Sequence, residues 1–399
     1  MRNVLRSYAI AVCLACVAAG PGPKPVEIAG FRGGGGLSGQ AEKIAPPPMK
    51  LRWTYHTDDL QHASVDSAAT IAGDTVYVAD DSGTLHAINL ATGKNKWKYV
   101  SDGGFDTSPL VMGGRVYLGD LSGVFHCVSA ADGKKIWLFD SESGIHGSAN
   151  SDGTHILFGN DGAQIICLDT EGKKVWSVTA GDRINAAPSI AMLADGRRVA
   201  LFSGCDADLR AIELKEGKEA FTAALGALAP GSPVVVAMAA PHAAPRPVAA
   251  RGDRIIVGTD QGHVLCYSSE GKQLWDYDKV KDGAMVYASP AVAEGIVVAG
   301  ARDRQVHAME LATGKPLWTF ATRGDVDSSP LISDGRVYVG SKDKKLYVLD
   351  LKTGKSLWEF TAARAISAPP AIGRGVLVIG DERGNVYCFE GDQNKLNIK

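Results

Sequence analysis

The sequence lacks an excess of charge of either sign. Its 42 Lys and Arg residues nearly balance its 44 Asp and Glu residues, which leaves a net charge of −2. Proteins whose main partner is nucleic acid usually present a basic surface, so no nucleic-acid partner is expected. The cysteines do not have the spacing of metal ligands, no two of them are adjacent, and there is no CxxCH motif for haem attachment. We therefore predict no metal site.

The first 50 residues differ in composition from the rest of the chain. Two arginines in Met1–Arg6 precede a short apolar run, residues 7–20, that ends in small residues. This is the pattern of a secretory signal peptide, and the run is too short to favour a membrane span. We predict a signal peptide over residues 1–19, with lipidation at Cys16 as an alternative. A Gly run and a Pro run then predict an extended tether over residues 20–50.

From residue 51 onward the chain repeats itself about every 40 residues. All seven tryptophans fall at one repeat position, and Phe221 takes an eighth. A period of ~40 to 45 residues with alternating apolar positions is typical of propeller blades with four strands, A to D. We predict an all-β eight-bladed propeller over residues 51–391, followed by a C-terminal tail at 392–399. The clearest copies are ATGKNKW (91–97), ADGKKIW (131–137), ATGKPLW (312–318) and KTGKSLW (352–358).

The two ends of the repeat region are incomplete in complementary ways. The strand around Trp53 (51–55) has the D pattern with no A, B or C before it. The final copy (370–390) has the A, B and C patterns without D. An open sheet would leave exposed edges. We therefore predict that the N-terminal strand completes the last blade and closes the ring.

These repeats resemble those of the pyrroloquinoline-quinone-binding-like propellers. That superfamily includes quinoprotein alcohol dehydrogenases and the propeller lipoprotein of the outer-membrane β-barrel assembly machinery. The resemblance covers about residues 50–391. It implies that one aromatic side chain per blade packs between neighbouring blades, namely Trp53, Trp97, Trp137, Trp176, Phe221, Trp275, Trp318 and Trp358.

The resemblance, together with the signal peptide and the tether, favours a non-catalytic scaffold for protein interactions in the cell envelope. Such a scaffold would be a monomeric ring, periplasmic or associated with the outer membrane, that contacts the membrane only through a lipid anchor. Its partners would be envelope proteins such as an outer-membrane assembly complex.

The alternative is a quinone- or metal-dependent oxidoreductase, or a small-ligand binder, that uses the rim of the channel. The dehydrogenases resemble one another in an adjacent Cys-Cys disulfide and in a stacking Trp. Here no cysteines are adjacent, and every Trp already has a place in the repeat. No cofactor is therefore expected, including pyrroloquinoline quinone with calcium, and whether the protein is an enzyme stays open.

A second repeat position carries the candidate site. Most blades have a polar residue three positions before the A-strand Pro or its equivalent. A strands are innermost in a propeller, so these residues should converge on one mouth of the central channel. The polar side chains at these positions, which exclude Pro230, and with Ser367 left aside, are candidates for binding a cation, a small polar ligand or a basic peptide. The alternative is a hydrated polar rim without a ligand. In blade order the positions are Asp66, Asp106, His146, Asn185, Pro230, Tyr287, Asp327 and Ser367.

Blades four and five contain insertions between their A and B strands. Both loops should project side by side from the opposite mouth. The longer one is rich in Ala and Pro, which suits a protein contact, although a neutral insertion is equally consistent. Its candidate partner residues are His242, Arg246 and Arg251.

The remaining cysteines and histidines have structural interpretations. Cys205 lies in a turn and is interpreted as a packed or inert thiol, with a reactive thiol as the alternative. The C-strand histidines are interpreted as packed or solvated side chains, and the Asp-Ser-Gly turns as hairpin chemistry and not calcium sites. A small buried C-strand position, where other blades have Ala or Val, holds Cys127, Cys167, Cys266 and Cys388. The histidines are His86, His126 and His307.

Overall fold

Each repeat folds into one antiparallel sheet because its apolar runs are short and the turns between them are rich in Gly, Asp and Ser. The computed structural model describes residues 28–57, 63–193, 195–236 and 253–392. In these ranges the strands form eight sheets, which are the eight blades of a propeller. The architecture predicted from the repeats is confirmed.

The strands of each blade follow one another from A, at the channel, to D, at the outside. Blade one contains β3 (Thr70–Ala72), β4 (Thr75–Ala79), β5 (Thr84–Asn89) and β6 (Asn95–Val100), and blade two contains β7 (Leu110–Met112), β8 (Arg115–Gly119), β9 (Val124–Ser129) and β10 (Lys135–Asp140). Blade three contains β11 (Asn150–Ser151), β12 (His155–Gly159), β13 (Gln164–Asp169) and β14 (Lys174–Thr179). Blade four contains β15 (Ser189–Met192), β16 (Arg198–Phe202), β17 (Asp208–Glu213) and β18 (Glu219–Ala224). Blade five contains β19 (Val234–Val236), β20 (Arg254–Gly258), β21 (Val264–Ser268) and β22 (Gln273–Tyr277). Blade six contains β23 (Ala291–Ala293), β24 (Ile296–Ala301), β25 (Gln305–Glu310) and β26 (Pro316–Ala321). Blade seven contains β27 (Leu331–Ser333), β28 (Arg336–Gly340), β29 (Lys345–Asp350) and β30 (Ser356–Thr361). Blade eight contains β31 (Ala371–Gly373), β32 (Val376–Gly380) and β33 (Asn385–Glu390).

The ring is closed by the N-terminal strand. Strand β2 (Lys50–His56) pairs antiparallel with β33 and supplies the D strand of blade eight. The register places Trp53 opposite Cys388. The closure predicted from the incomplete ends of the repeat region is therefore confirmed.

The hydrophobic core is divided into eight clusters, each between two neighbouring blades. The B and C strands supply most of it because both of their faces are buried against neighbouring blades. Tyr117 of blade two and Phe158 of blade three, for example, are fully buried in one shared cluster. The D strands alternate between exposed and partly buried residues, so they form the outer edge of each blade.

The repeated aromatic residue of the D strand connects each blade to the next. The indole N–H of Trp53 donates to the carbonyl of Leu90, at 2.9 Å, and five other tryptophans make the same bond to the following blade. The ring lies on the glycine of the next blade's repeat, where a Cβ at Gly93 would come within 2.7 Å of Trp53. Phe221 lies on Gly271 in the same way. The eight aromatic positions are thus the contacts between blades that the resemblance implied, except that Trp358 packs on a ring of blade eight, Phe389.

Residues 28–49 do not form the extended tether that the Gly and Pro runs predicted, and this part of the prediction is wrong. The segment packs along the inner strands of the ring, at the end of the channel where the A strands turn into the B strands. Strand β1 (Ile28–Ala29) pairs with β7 and becomes a fifth strand of blade two. The carbonyls of Gly35 and Ser38 accept the N–H groups of Ile190 and Val292.

Glycine allows this close packing, because the segment lies where side chains would collide. An added Cβ at Gly36 would come within 2.8 Å of the carbonyl oxygen of Val235. Two apolar residues, Leu37 and Ile44, are each 1% exposed and anchor the segment. Two such anchors in a Gly- and Pro-rich stretch are too few to distinguish a packed segment from a linker by composition.

The signal peptide, the lipidation candidate Cys16 and most of the C-terminal tail lie outside the described residues, so these features remain predictions. The described ranges contain 3-10 turns at Phe31–Gly33 and Lys281–Gly283. In those ranges no helix has the length and apolar character to cross a membrane.

Candidate functional site

The loops that lead into the A strands meet at one mouth of the channel. All eight positions predicted to form the rim line one cavity there, with a volume of about 180 Å³. The convergence follows from the ring, because each blade places its equivalent loop at the axis. Phe31 of the N-terminal segment lines the same cavity, so the segment forms part of its floor.

A belt of serine hydroxyls below the rim connects neighbouring blades. Ser148 Oγ accepts the main-chain N–H of Ser108 at 2.8 Å, and Ser329 Oγ accepts that of Ser289 at 2.9 Å. Three further blade pairs repeat this bond. These bonds hold the rim loops at equal heights. This belt was not predicted from the sequence, although a Ser directly before the A-strand Pro was its visible signal.

Blades one to three carry the acidic part of the mouth. His146 lies between two carboxylates, with Nδ1 3.2 Å from Asp106 and Nε2 3.2 Å from Asp161. The hydrogen bond to Asp106 raises the pKa of His146, and the charge of Asp161 adds to this, against the opposing effect of burial. Burial, together with the charges of Glu382 and Asp106, raises the pKa of Asp66 to about 6.

Blades six and seven carry the basic part. Arg302 donates two hydrogen bonds to Asp327, at 2.9 and 3.0 Å, and Lys342 Nζ lies 2.8 Å from the same carboxylate. Burial alone would raise the pKa of Asp327, but the bonds from these two cations lower it. The Arg302 guanidinium also lies 4.9 Å from the ring centre of Tyr287. Two cations thus share one carboxylate, so Arg302, Lys342 and Asp327 together carry one positive charge.

The other rim positions are less charged. Asn185 Oδ1 lies 3.6 Å from the thiol of Cys205, and Ser367 donates to Glu382 at 2.6 Å. Pro230 contributes no polar side chain. Within the ranges that the structure describes, no group of three or more His, Cys, Asp or Glu side chains is placed to hold a metal ion. The mouth is therefore a cup whose opposite sides carry opposite charge.

The three C-strand histidines are packed. His126 connects two blades, with Nδ1 2.9 Å from Tyr99 Oη of blade one and Nε2 2.8 Å from Asp120 of its own turn. The other oxygen of Asp120 accepts the N–H groups of Ser122 and Val124, so the carboxylate closes the hairpin turn. The role of the Tyr was not predicted from the sequence, although its place two residues after the repeat Trp was a visible signal. The three triads are Tyr55–His86–Asp80, Tyr99–His126–Asp120 and Tyr277–His307–Asp303.

The cysteines provide a test of the packing. The four C-strand cysteines are buried, and burial raises the pKa of each thiol to about 12. The thiolate is the reactive form, so these thiols should be inert in the folded protein. Cys205 is only partly buried, which favours the alternative interpretation of it as a reactive thiol. We therefore expect Ellman's reagent to modify one thiol per molecule lacking residues 1–19, and Cys205→Ser to remove that reaction. Rapid modification of folded Cys205→Ser protein would contradict the packing, and unfolding in guanidinium should expose every remaining thiol.

The charge of the acidic part predicts a linked titration. Asp106 raises the pKa values of both Asp66 and His146. We therefore expect Asp106→Asn to lower both pKa values, with the larger change at His146 because its hydrogen bond would lose its charged acceptor. NMR titration of the Asp66 carboxyl carbon and the His146 ring would measure them. Lys174→Gln, on the outer strand β14, is the control, and unchanged pKa values in Asp106→Asn would contradict the assigned couplings.

Blades four and five carry, between their A and B strands, the insertions that were predicted to project from the opposite mouth. In blade four, β15 and β16 are joined by a longer turn, and Ile190 of β15 contacts the N-terminal segment. In blade five the insertion joins β19 to β20, but its candidate residues His242, Arg246 and Arg251 lie outside the described residues. Their role as partner contacts stays a prediction.

The closed ring, the docked tryptophans and the channel mouth define the class of this protein as an eight-bladed β-propeller of the pyrroloquinoline-quinone-binding-like type. The sequence profile of the family described as outer membrane protein assembly factor BamB matches residues 42–137, 121–282 and 271–396. The chain therefore belongs to this family. No curated protein matches the chain.

Solved structures share the fold at low identity. BamB from Moraxella catarrhalis is 17% identical, with a TM-score of 0.69 over 87% of this chain and 99% of that chain. The quinohemoprotein alcohol dehydrogenase from Comamonas testosteroni is 14% identical, with a TM-score of 0.74 over 90% of this chain and 79% of that chain. A europium-containing methanol dehydrogenase is 12% identical, with a TM-score of 0.70 over 89% of this chain and 96% of that chain. At these identities the likeness shows the fold alone.

Proposed function

We propose that this protein is a non-catalytic scaffold for protein interactions in the bacterial cell envelope, and that it serves outer-membrane protein assembly. The observation that carries the proposal is the channel mouth, where loops from all eight blades present one continuous, oppositely charged surface. The family to which the chain belongs supports the assembly role. The scaffold would lie in the periplasm or at the outer membrane, where lipidation at Cys16 would provide its anchor.

Exposed apolar side chains at the mouth support a protein partner. Leu121, Leu228 and Tyr287 are 39%, 39% and 45% exposed, and each lies in a loop at this end of the ring. Apolar and aromatic side chains next to complementary charges are typical of protein interfaces, where charge sets orientation and apolar contact supplies affinity. A partner loop with a basic side chain toward blades one to three and an acidic one toward blades six and seven would match the mouth.

The residues of the mouth do not favour the oxidoreductase alternative. A quinone stacked in the channel would need an indole there, but the seven tryptophans all lie in the D strands or, for Trp53, in β2 at the equivalent place. A calcium ion would need several converging carboxylates, whereas Asp327 is bound by Arg302 and Lys342. We therefore propose that no quinone or metal cofactor acts at this mouth.

Site-specific photo-crosslinking in intact cells tests the scaffold. A photoreactive phenylalanine at Tyr287 or Leu121 should capture envelope proteins that mass spectrometry identifies, including members of an outer-membrane assembly complex. Val175, exposed on the outer strand β14, is the matched control and should capture none of them. Equal capture from Val175, or no capture from either mouth position, would contradict the proposal. Loss of the adducts on deleting residues 240–250 would extend the interface to the blade-five loop.

A further inference from the structure

A second cavity lies between the N-terminal segment and the inner strands of blades eight and one. Its volume is about 220 Å³. Its walls include Arg32 and Glu42 of the segment, Ile71 of β3, and Ile372 of β31. We call it the segment cavity. It is separate from the cavity at the charged mouth, whose lining includes Phe31 and not Arg32.

The segment cavity marks a gap in the pairing of the N-terminal segment with the A strands. In blade seven the segment bonds both main-chain groups of Ile332, because Ile332 N donates to Gly39 and Ile332 O accepts from Ala41. In blades four, five and six the equivalent main-chain N–H group also donates a hydrogen bond to a carbonyl of the segment. Each of these N–H groups belongs to the residue five positions after the rim residue of its blade.

The equivalent residues of blades one and eight are Ile71 and Ile372. Ile71 is paired with Val76, and Ile372 with Leu377, in the register that Ile332 has with its own partner strand. The main-chain N–H and C=O groups of Ile71 and Ile372 therefore face the channel, as those of Ile332 do. No hydrogen bond from the described part of the segment reaches the main chain of either residue. Two short strand edges are thus open to the cavity.

Arg32 brings an uncompensated positive charge to the same cavity. Its side chain is 6% exposed, and its guanidinium donates to the carbonyls of Ser289 and Pro290. Its Nε is buried without a hydrogen-bond partner, and none of the ion pairs among the described residues includes Arg32. Burial lowers the pKa of Arg32 to about 9, so it stays charged at neutral pH. A buried positive charge without a counter-ion destabilises the folded state unless an anion pairs with it.

We propose that the segment cavity binds the carboxylate end of an extended peptide. The carboxylate would compensate Arg32, and the peptide main chain would pair with the open edges at Ile71 and Ile372. The N-terminal segment shows the mode of binding, since it lies on the A strands of blades four to seven through its own main chain. Glu42, which accepts the N–H of Arg374, lines the cavity and would disfavour a second anionic group. The site lies at the other end of the channel from the mouth and does not depend on the proposed function.

Calorimetric titration of the folded chain with acetyl-Gly-Ala-Gly-Ala tests the site. We expect the free acid to bind about tenfold or more tightly than the same peptide with an amidated end, because a charge-assisted bond is lost. Acetate should bind more weakly than the peptide, since it cannot pair with the strand edges. Equal affinity of acid and amide, or no binding of the acid, would overturn the proposal. Acetate binding as tightly as the peptide would overturn the pairing with β3 and β31.

Two variants assign the binding to this cavity. Arg32→Met keeps the approximate volume, removes the charge and should abolish the preference for the free acid. Lys342→Ala, at the charged mouth, should leave both affinities unchanged, so a failure of the proposed scaffold function is distinguishable from a failure of this site. If Arg32→Met does not fold, the comparison of acid with amide in the unaltered protein still decides the matter. An unchanged acid preference in folded Arg32→Met would overturn the role of Arg32.

Discussion

Trp53→Ala is expected to lower the free energy of unfolding by about 3–5 kcal/mol, the usual cost of truncating a large buried aromatic residue. Trp53 is 9% exposed and belongs to β2, the strand that closes the ring. Its ring packs on Gly93 of blade one, and its indole N–H donates to the carbonyl of Leu90 at 2.9 Å. Truncation would leave a cavity and an unsatisfied carbonyl beside β2, the strand whose pairing with β33 joins the two ends of the repeat region.

Two controls separate ring closure from ordinary packing. Leu51→Ala changes an exposed residue of the same strand and should alter the free energy of unfolding by less than about 0.5 kcal/mol. Trp97→Ala removes the equivalent contact between blades one and two, but Trp97 belongs to β6, which pairs with β5 of its own blade and does not close the ring. Hydrogen exchange should accelerate along β2 in Trp53→Ala but not in Trp97→Ala. Equal exchange in the two variants, or a similar loss of stability in Leu51→Ala, would contradict the closing role of Trp53.

Gly354→Ala is expected to destabilise the protein more than an alanine at another glycine of the same backbone conformation. Gly354 has φ +69°, and an added Cβ would lie 2.6 Å from the ring of Trp318. Gly295 has φ +77°, and an added Cβ there would have no atom within 4 Å. Gly295→Ala should therefore lower the free energy of unfolding only because alanine disfavours the left-handed backbone conformation, by about 1–2 kcal/mol. Gly354→Ala should cost about 1–3 kcal/mol more, because the indole of the neighbouring blade must move.

Denaturant unfolding of both variants measures this difference. The tryptophan fluorescence of folded Gly354→Ala should also shift to longer wavelength, because Trp318 would leave its site between the blades. Gly295→Ala should keep the spectrum of the unaltered protein. Equal destabilisation by the two substitutions would mean that the glycine of the repeat is needed only for its backbone angle and not as the surface on which the tryptophan packs.

The repeat explains which features the sequence could predict. A period of about 40 residues assigns every residue to a place in a blade, so equivalent residues must come together in a closed ring. The positions of Trp53 and of the last repeat predicted the closure, and the residues before the A-strand Pro predicted the rim. All of these depend on one spacing repeated along the chain, and the structure places them as expected.

The features that were missed depend on contacts between distant parts of the chain. Gly35 meets Ile190, and Arg32 meets Ser289, across separations that no repeat relates. The Gly run therefore had the composition of a linker, although its lack of side chains is what lets it lie against the A strands. The prediction of the charged residues at the mouth was likewise incomplete, because Arg302 and Lys342 come from B–C turns and not from the rim position.

The sequence by itself determined the number of blades, the closing strand and the convergence of the rim, because each of these follows from periodicity. The contacts of the aromatic residues between blades were implied by the family resemblance. Only the tertiary structure decided that residues 28–49 line the channel and that its mouth has sides of opposite charge. It also decided that Arg32 is buried beside an open pair of strand edges. The physical reason is that these features arise between residues without a common period, so only the folded ring brings their side chains and main chains within hydrogen-bonding distance.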